Sequence, residues 1–361
     1  MDSVAGALLS QEEEHAAVNC CINIQRRLLR DSSDPFSLND KIFVKNFRLN
    51  KNAFKSVLTI MEEELGRSVK SSSVTPVSRL MAVLRFFAEG SYQHGVGKDF
   101  DVGLAQSTFS KTLTKTLNIL ERRLCPVWIK LSMTEEENKR AKMWFYRRTQ
   151  FPGVIMCVDG THIKILPPAD EPYLYYNRKG YYSLNAMVIC DNKMQIRCVD
   201  ARFPGSSHDS HVWNVSAAKT YFEERYRQGD KTTWILGDAG YPLQPWLITP
   251  FRSPVAGSRE SAFNKTHSKA RNIVERVIGV LKNRFRCLLS ARQLHYSPQK
   301  VVQIINVVCA LHNMCIHYNV EDNTPDIMDD EYQDVNEEEA PSEFSREASD
   351  IRMRILRSLP N

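Results

Sequence analysis

Val154-Ile-Met-Cys-Val-Asp159-Gly-Thr-His-Ile-Lys-Ile165 is an apolar, β-branched run interrupted by a single carboxylate. Its composition predicts a strand. A carboxylate in such a run costs several kcal/mol unless a counter-charge compensates it, and a divalent cation does so well. Trp234-Ile-Leu-Gly-Asp238-Ala-Gly240 repeats the pattern, with an acid at the end of a short apolar run. Glu275 is the only acid between Lys265 and Arg286, a segment carrying seven Lys or Arg. Brought together in space, the three carboxylates of Asp159, Asp238 and Glu275 would offer oxygen ligands to hard cations such as Mg²⁺ or Mn²⁺. The bases around the third would hold a polyanion. The pattern predicts a divalent-metal-dependent nuclease acting on DNA by a two-metal mechanism, with Asp159 bridging the ions and Asp238 and Glu275 each holding one.

Each acid also has a plainer reading. Asp-Gly commonly opens a turn, which would account for Asp159, and Asp238 in Gly-Asp-Ala-Gly is open to the same account. Glu275 can pair with Arg271 or Lys282 on its own helix, a contact worth only ~0.3–0.5 kcal/mol. The three acids in one order along an α/β chain favour the metal reading. A catalytically silent DNA-binding adaptor is the alternative, and metal-dependent cleavage separates the two.

The 361 residues have a net charge of +6. That balance conceals an asymmetry, because Glu321–Ser345 holds 11 Asp or Glu and no Lys or Arg. The other 336 residues carry 48 basic against 31 acidic side chains, a net +17, which implies an anionic partner, DNA first. No apolar run reads as a membrane span and the first residues lack a basic leader, so an intracellular protein without a membrane partner is expected. Nine cysteines contain no Cys-x-x-Cys pair and several lie in apolar runs, which fits reduced, buried thiols. Cys309, His312, Cys315 and His317 crowd one apolar helix, where packing is favoured over a zinc site.

Four regions are expected: an N-terminal extension (1–45), a helical region (46–150), a nuclease domain (151–318) and an acidic tail (319–361) ending in a short helix over 347–359. Leu80, Met81, Leu84 and Phe87 mark one helix that stops at Glu89-Gly-Ser91. Phe109, Leu113, Leu117, Leu120 and Leu124 mark the next, after a turn at Asp101-Val-Gly103. This predicts a helix-turn-helix whose second helix presents Gln106, Thr108, Lys111, Thr112 and Lys115 to DNA. The alternative is a helical domain whose polar face is merely solvated. From Phe151 the texture becomes strand-like: 154–165, 184–191, 194–201 with a turn at Asp191-Asn-Lys193, then a helical stretch near 208–227, a strand at 234–237, and helices at 269–285 and 298–317. That order predicts an α/β, RNase H-like domain with a mixed sheet flanked by helices. The basic loop Arg178-Lys179 and the side chains Arg271, Arg276, Lys282, Arg284 and Arg286 are expected to contact phosphates. His162 reads as a partly buried structural or supporting group near the acids. His208-Asp209 reads as orienting substrate or, through Ser206 or Asp209, capping a helix.

Asp159-Gly-Thr-His162, Asn177-Arg-Lys-Gly-Tyr-Tyr-Ser-Leu-Asn185, Pro204-Gly-Ser-Ser-His-Asp-Ser210, Gly237-Asp-Ala-Gly-Tyr-Pro-Leu243, Val274-Glu-Arg-Val-Ile-Gly-Val-Leu-Lys282 and Leu311-His-Asn313 resemble, in order, the motifs of the PIF/Harbinger transposases. The match runs from about Phe47 to Tyr318 and is most like the host-adopted, nuclease branch of that family. Phe203 stands where the family usually has Trp. The resemblance implies a DDE catalytic domain with the triad on Asp159, Asp238 and Glu275. It also implies a nuclear role, with the cytoplasm as a further location, and a separately encoded Myb/SANT-like partner. The sequence sets no oligomeric state, and a homo-oligomer is compatible with it.

Overall fold

The computed structural model describes residues 34–66, 73–90, 103–289, 293–321 and 344–359, and most of 17–28. It divides into two compact units, Met1–Leu120 and Glu121–Asn361. The division falls earlier than the boundary expected near residue 150. Helix Glu135–Thr149 packs on the sheet of the second unit, which explains the shift.

In the first unit, helices α1 (Asp40–Phe47), α2 (Lys51–Leu65) and α3 (Pro76–Glu89) surround the buried rings of Phe43, Phe47 and Phe54. Local chemistry sets the helix ends. Asn50 Oδ1 accepts from Ala53 N at 2.9 Å, Thr75 caps α3 ahead of Pro76, and Gly90 closes it in the left-handed region at φ +63°. Helix α4 (Gln106–Arg123) buries Phe109, Leu113 and Leu117, the expected stripe. Gln106, Lys111 and Lys115 are exposed and Thr108 is half-buried, whereas Thr112, expected to face outward, is buried. Position 112 lies one turn from both Phe109 and Thr116, on the buried face, and a threonine can occupy it. The residues that would join α3 to α4, 91–102, lie outside the described residues, so the helix-turn-helix itself is not shown.

The second unit holds the short helix α5 (Cys125–Trp128), α6 (Glu135–Thr149) and a five-stranded mixed sheet. Its strands are β1 (Val154–Lys164), β2 (Ser183–Asp191), β3 (Ile196–Pro204), β4 (Trp234–Leu236) and β5 (Leu247–Ile248), in spatial order β3-β2-β1-β4-β5. The first three form an antiparallel meander, and β4 runs parallel to β1 and β5 to β4. Helices α7 (Asp209–Asn214) and α8 (Ala217–Arg227) fill the crossover from β3 to β4. Two further helices, α9 (Arg259–Arg284) and α10 (Pro298–His317), flank the sheet, and α11 (Ser345–Ser358) packs on α9. A mixed five-stranded sheet flanked by helices is consistent with the RNase H-like arrangement expected from the element order.

Three differences from expectation have physical reasons. The stretch 208–227 is two helices, parted at Val215–Ser216, where Ser216 caps the second. Helix α9 starts at Arg259 rather than Lys269, because its first turns are polar and carry no long apolar stripe. The two-residue β5 is too short to have a period. Helix α10 has the length and apolarity of a membrane span, but most of it is buried against β3 and α5. Its His312 Nε2 donates to Met194 O (3.0 Å) and His317 packs edge-on to Trp128, so these histidines serve packing around Cys309 and Cys315, which are buried.

Candidate active site

Parallel pairing between β1 and β4 sets the first two acids. The last paired couple is Cys157 with Leu236, and Asp159 and Asp238 each lie two residues further along. Two residues is one strand period, so both acids stand at the same level past the carboxyl end of β4, Asp238 in the loop after that strand and Asp159 still within β1. Asp238 Oδ1 accepts from Gly240 N at 3.0 Å, which curls the loop around its own carboxylate. Asp159 remains in β1, opposite Val188 of β2.

Helix α9 brings the third. Its Val274, Val277, Ile278 and Leu281 are buried, and α9 lies against β1, β2 and β4. This turns Arg271 and Glu275, one helical turn apart, toward the acid on the strand. Arg271 Nη1 stands 3.1 Å from Asp159 Oδ2, and its Nη2 donates to Glu275 Oε1. One guanidinium therefore joins the first and third acids.

A fourth carboxylate belongs to the cluster. Asp209, the first residue of α7, accepts from Asn185 Nδ2 of β2 at 2.9 Å. Its Oδ1 lies so close to Gly160 that a Cβ there would stand 2.4 Å from it, so only glycine is accommodated beside Asp159. A Cβ on Gly240 would meet Asp238 Oδ1 at 3.2 Å and Asp209 Oδ2 at 3.8 Å. Asp209 thus stands between Asp159 and Asp238. The helix cap is His208, whose side chain makes no capping hydrogen bond, so neither Ser206 nor Asp209 fills the N-cap position. Sequence reading placed Asp209 only as a substrate-orienting or capping group. Its Pro-Gly-Ser-Ser-His-Asp setting was the available signal, and its distance along the chain from the other acids concealed the rest.

Electrostatics reflect the crowding. Burial pushes the Asp159 carboxyl up to about 6; Arg271 opposes this, and the negative charges of Asp209 and Glu275 add to it. Tyr241 is buried, and its hydroxyl has no hydrogen-bond partner among the described residues. Burial, then Asp209, Asp238 and Asp159, raise its pKa, which places that hydroxyl in the combined field of three acids.

Among the described residues, no three acidic, histidine or cysteine side chains are grouped closely enough to form a ready-made cation cage. The donor chemistry nevertheless fits Mg²⁺ or Mn²⁺, since every candidate ligand is a carboxylate. Arg271 is a stand-in cation, showing that positive charge is accommodated between Asp159 and Glu275.

Three of the expected phosphate contacts stand elsewhere than foreseen. Arg271 is turned inward to the acids, with a side chain only 16% exposed. Lys282 is buried, and so is Arg284; both were expected outside the apolar stripe. Lys282 follows Ile278 by one turn on the face that packs on the sheet, so its position decides against its residue type. Arg276, Arg178 and Lys179 are exposed. The loop carrying the last two is firmly built. Asn177 Oδ1 accepts from Lys179 N (2.9 Å) and Tyr181 N (3.3 Å), Asn177 Nδ2 donates to Ser183 Oγ (2.8 Å), and Gly180 takes φ +82°. His162 Nδ1 meets the same Ser183 Oγ at 3.0 Å. Burial, then Lys179, Lys282 and Arg178, hold His162 down to about 4, so three cations converge where β1 runs on past Asp159.

A family model described as DDE superfamily endonuclease matches residues 158–313. The chain is 31% identical over 289 residues to "Putative nuclease HARBI1" of Rattus norvegicus, covering 80% of this chain and 81% of that one. The protein of the same name from Homo sapiens is 32% identical over 253 residues, 70% of each chain. "Protein ALP1-like" of Arabidopsis thaliana is 26% identical over 345 residues, 90% of this chain and 82% of that protein. No solved structure matches.

Proposed function

The chain belongs to the Harbinger-derived DDE nucleases, and on that premise we propose that it is a divalent-metal-dependent endonuclease that hydrolyses DNA phosphodiesters. One observation carries the reading. The register of β1 with β4 sets Asp159 and Asp238 at one level past the end of β4, and Arg271 of α9 links Glu275 to Asp159. Hydrolysis needs an activated water, an in-line leaving oxygen and neutralisation of the charge that builds on phosphorus. Two Mg²⁺ or Mn²⁺ ions held by Asp159, Asp238 and Glu275 would supply the lowered-pKa water and the Lewis acid for that charge. The protein's own part is to present the carboxylates ionised and oriented. Arg271 opposes the rise that burial imposes on Asp159 and so favours its ionised form, Asn185 orients Asp209 beside it, and Gly160 and Gly240 leave room around the acids.

The test is cleavage of supercoiled and linear DNA by the purified chain with Mg²⁺ or Mn²⁺. Cutting that stops on chelation and returns when the metal is restored supports the reading. DNA binding without cutting under either metal, with the partner below also present, would make the protein a silent adaptor instead.

DNA grip is proposed for Arg178, Lys179 and Arg276 around the acids, and for Gln106, Thr108, Lys111 and Lys115 on α4. The support is their basic or polar side chains and, except for Thr108, their exposure. Arg178→Ala with Lys179→Ala should weaken DNA binding and lower the slope of log K against log salt by about 1–2, since each phosphate contact contributes about 0.9. Fluorescence anisotropy between 50 and 200 mM salt, as orders of ionic strength, reads this. An unchanged slope would remove the loop from the interface. A nuclear location and a Myb/SANT-like partner belong to the same proposal, on the strength of the family and the basic body. Equal nuclear accumulation with and without that partner would remove it as an import factor.

A further inference from the structure

We propose that Arg271 is a built-in counter-ion of the acidic site, occupying the oxygens of Asp159 and Glu275 that a divalent cation needs and giving them up when the cation binds. This deepens the nuclease reading and rests on it. The guanidinium spans two elements: its Nη1 reaches Asp159 on β1 at 3.1 Å, and its Nη2 donates to Glu275 one turn along its own helix. An i,i+4 pair alone is a weak contact, about 0.3–0.5 kcal/mol when exposed. The link to Asp159 is different in kind, because it joins strand to helix at a point where Arg271 is 16% and Asp159 17% exposed. Nη1 meets Asp159 as an ion pair without a hydrogen bond, and a pair this shielded from solvent is screened less than an exposed one.

Arginine suits the task. It never loses its proton in proteins, so it leaves the acids only by rotating away, and its planar fork faces two carboxylates at once, donating to Glu275 and pairing in charge with Asp159. With Asp209 beside Gly160 and Asp238 facing Gly240, four carboxylates share this end of the sheet, and the guanidinium offsets their repulsion. The two acids it holds, Asp159 and Glu275, come from different elements of the proposed triad. Arg271 is thus a positioning residue: it keeps the strand and helix acids at a common approach, and it competes with the cation for them. Removing it should strengthen cation binding even though it weakens the cation-free protein.

The experiment is a Mn²⁺ titration of the full chain at fixed neutral pH without DNA, following free Mn²⁺ by electron paramagnetic resonance. Wild type, Arg271→Met, Arg271→Lys and Asp159→Asn are compared. Methionine keeps much of the buried stem without the charge. Arg271→Met should bind Mn²⁺ at least about tenfold tighter, the scale of one lost charge-assisted competitor, and Arg271→Lys should fall between it and wild type. Its melting temperature should be lower than wild type without Mn²⁺ and rise further when Mn²⁺ is added. If Arg271→Met does not fold, a Lys variant binding tighter than wild type carries the inference, and one binding no tighter overturns it. Wild-type binding that Asp159→Asn abolishes, with no tightening in Arg271→Met, would overturn the inference and leave the metal reading standing. Unchanged Mn²⁺ affinity with weakened DNA binding would likewise overturn it, making Arg271 a phosphate contact. No Mn²⁺ binding by any form would overturn both.

Discussion

Asp159→Asn is expected to lower metal-dependent DNA cleavage by about a thousandfold, the upper scale for removing one preorganised element of transition-state charge stabilisation. DNA affinity should stay near that of the parent. The side chain keeps its shape and half its oxygens, so the fold has no reason to collapse, but the charge that offsets a cation on β1 is gone. Asp159 is the acid most exposed to its neighbours' fields: Arg271, Asp209 and Glu275 all act on it. It also sits on the central strand, between β2 and β4, where its backbone cannot shift to compensate. Plasmid nicking at matched protein concentration, beside anisotropy on the same DNA, separates the two effects. Equal nicking by the variant would remove Asp159 from the machinery. A joint loss of nicking and DNA binding would instead point to a distorted phosphate-binding face.

The sheet and the acids were legible because their signals are local. β1 and β2 are continuous apolar runs, and α10 is apolar for most of its length; such segments have few alternative structures. Asp159, Asp238 and Glu275 stand out in the sequence by their unusual settings. What stayed hidden depended on distance or on position. Arg271 showed its helical neighbour Glu275 in the sequence, but nothing local could reveal Asp159 as its second partner across the sheet. Asp209 joins the cluster only because the β3–α7 turn folds back onto Gly160. Thr112 and Lys282 have polar side chains at helical positions that face the core, so a reading by residue type put them outside. The two residues of β5 gain their structure from pairing with β4 and carry no pattern of their own.

Asn313→Leu is expected to be strongly destabilising, although it touches none of the acids. Asn313 is 2% exposed and satisfies three backbone groups at once. Its Oδ1 accepts from Ile196 N at 2.8 Å, and its Nδ2 donates to Ile196 O and to Trp128 O, both at 2.8 Å. Helix α10 is thereby tied to the first residue of β3 and to α5. Leucine has a similar volume but no polar atom, so it would leave one N–H and two C=O groups buried without partners. At about 1–3 kcal/mol each, the loss is about 3 kcal/mol or more. For a unit of this size that lowers the melting temperature by about 6–12 °C. Asn313→Asp should be no better, because a carboxylate would face two carbonyls that need donors. The β2–β3 turn rests on the same helix through the hydrogen bond from His312 to Met194 O, so His312→Phe, which removes that bond, should cost less than Asn313→Leu. Thermal unfolding of the three variants orders these costs, and an Asn313→Leu melting point within a degree or so of wild type would break the argument. Cleavage by Asn313→Leu at low temperature should recover in proportion to the folded fraction. The residue holds the sheet on which Asp159 and Asn185 sit and takes no part in the chemistry at its end.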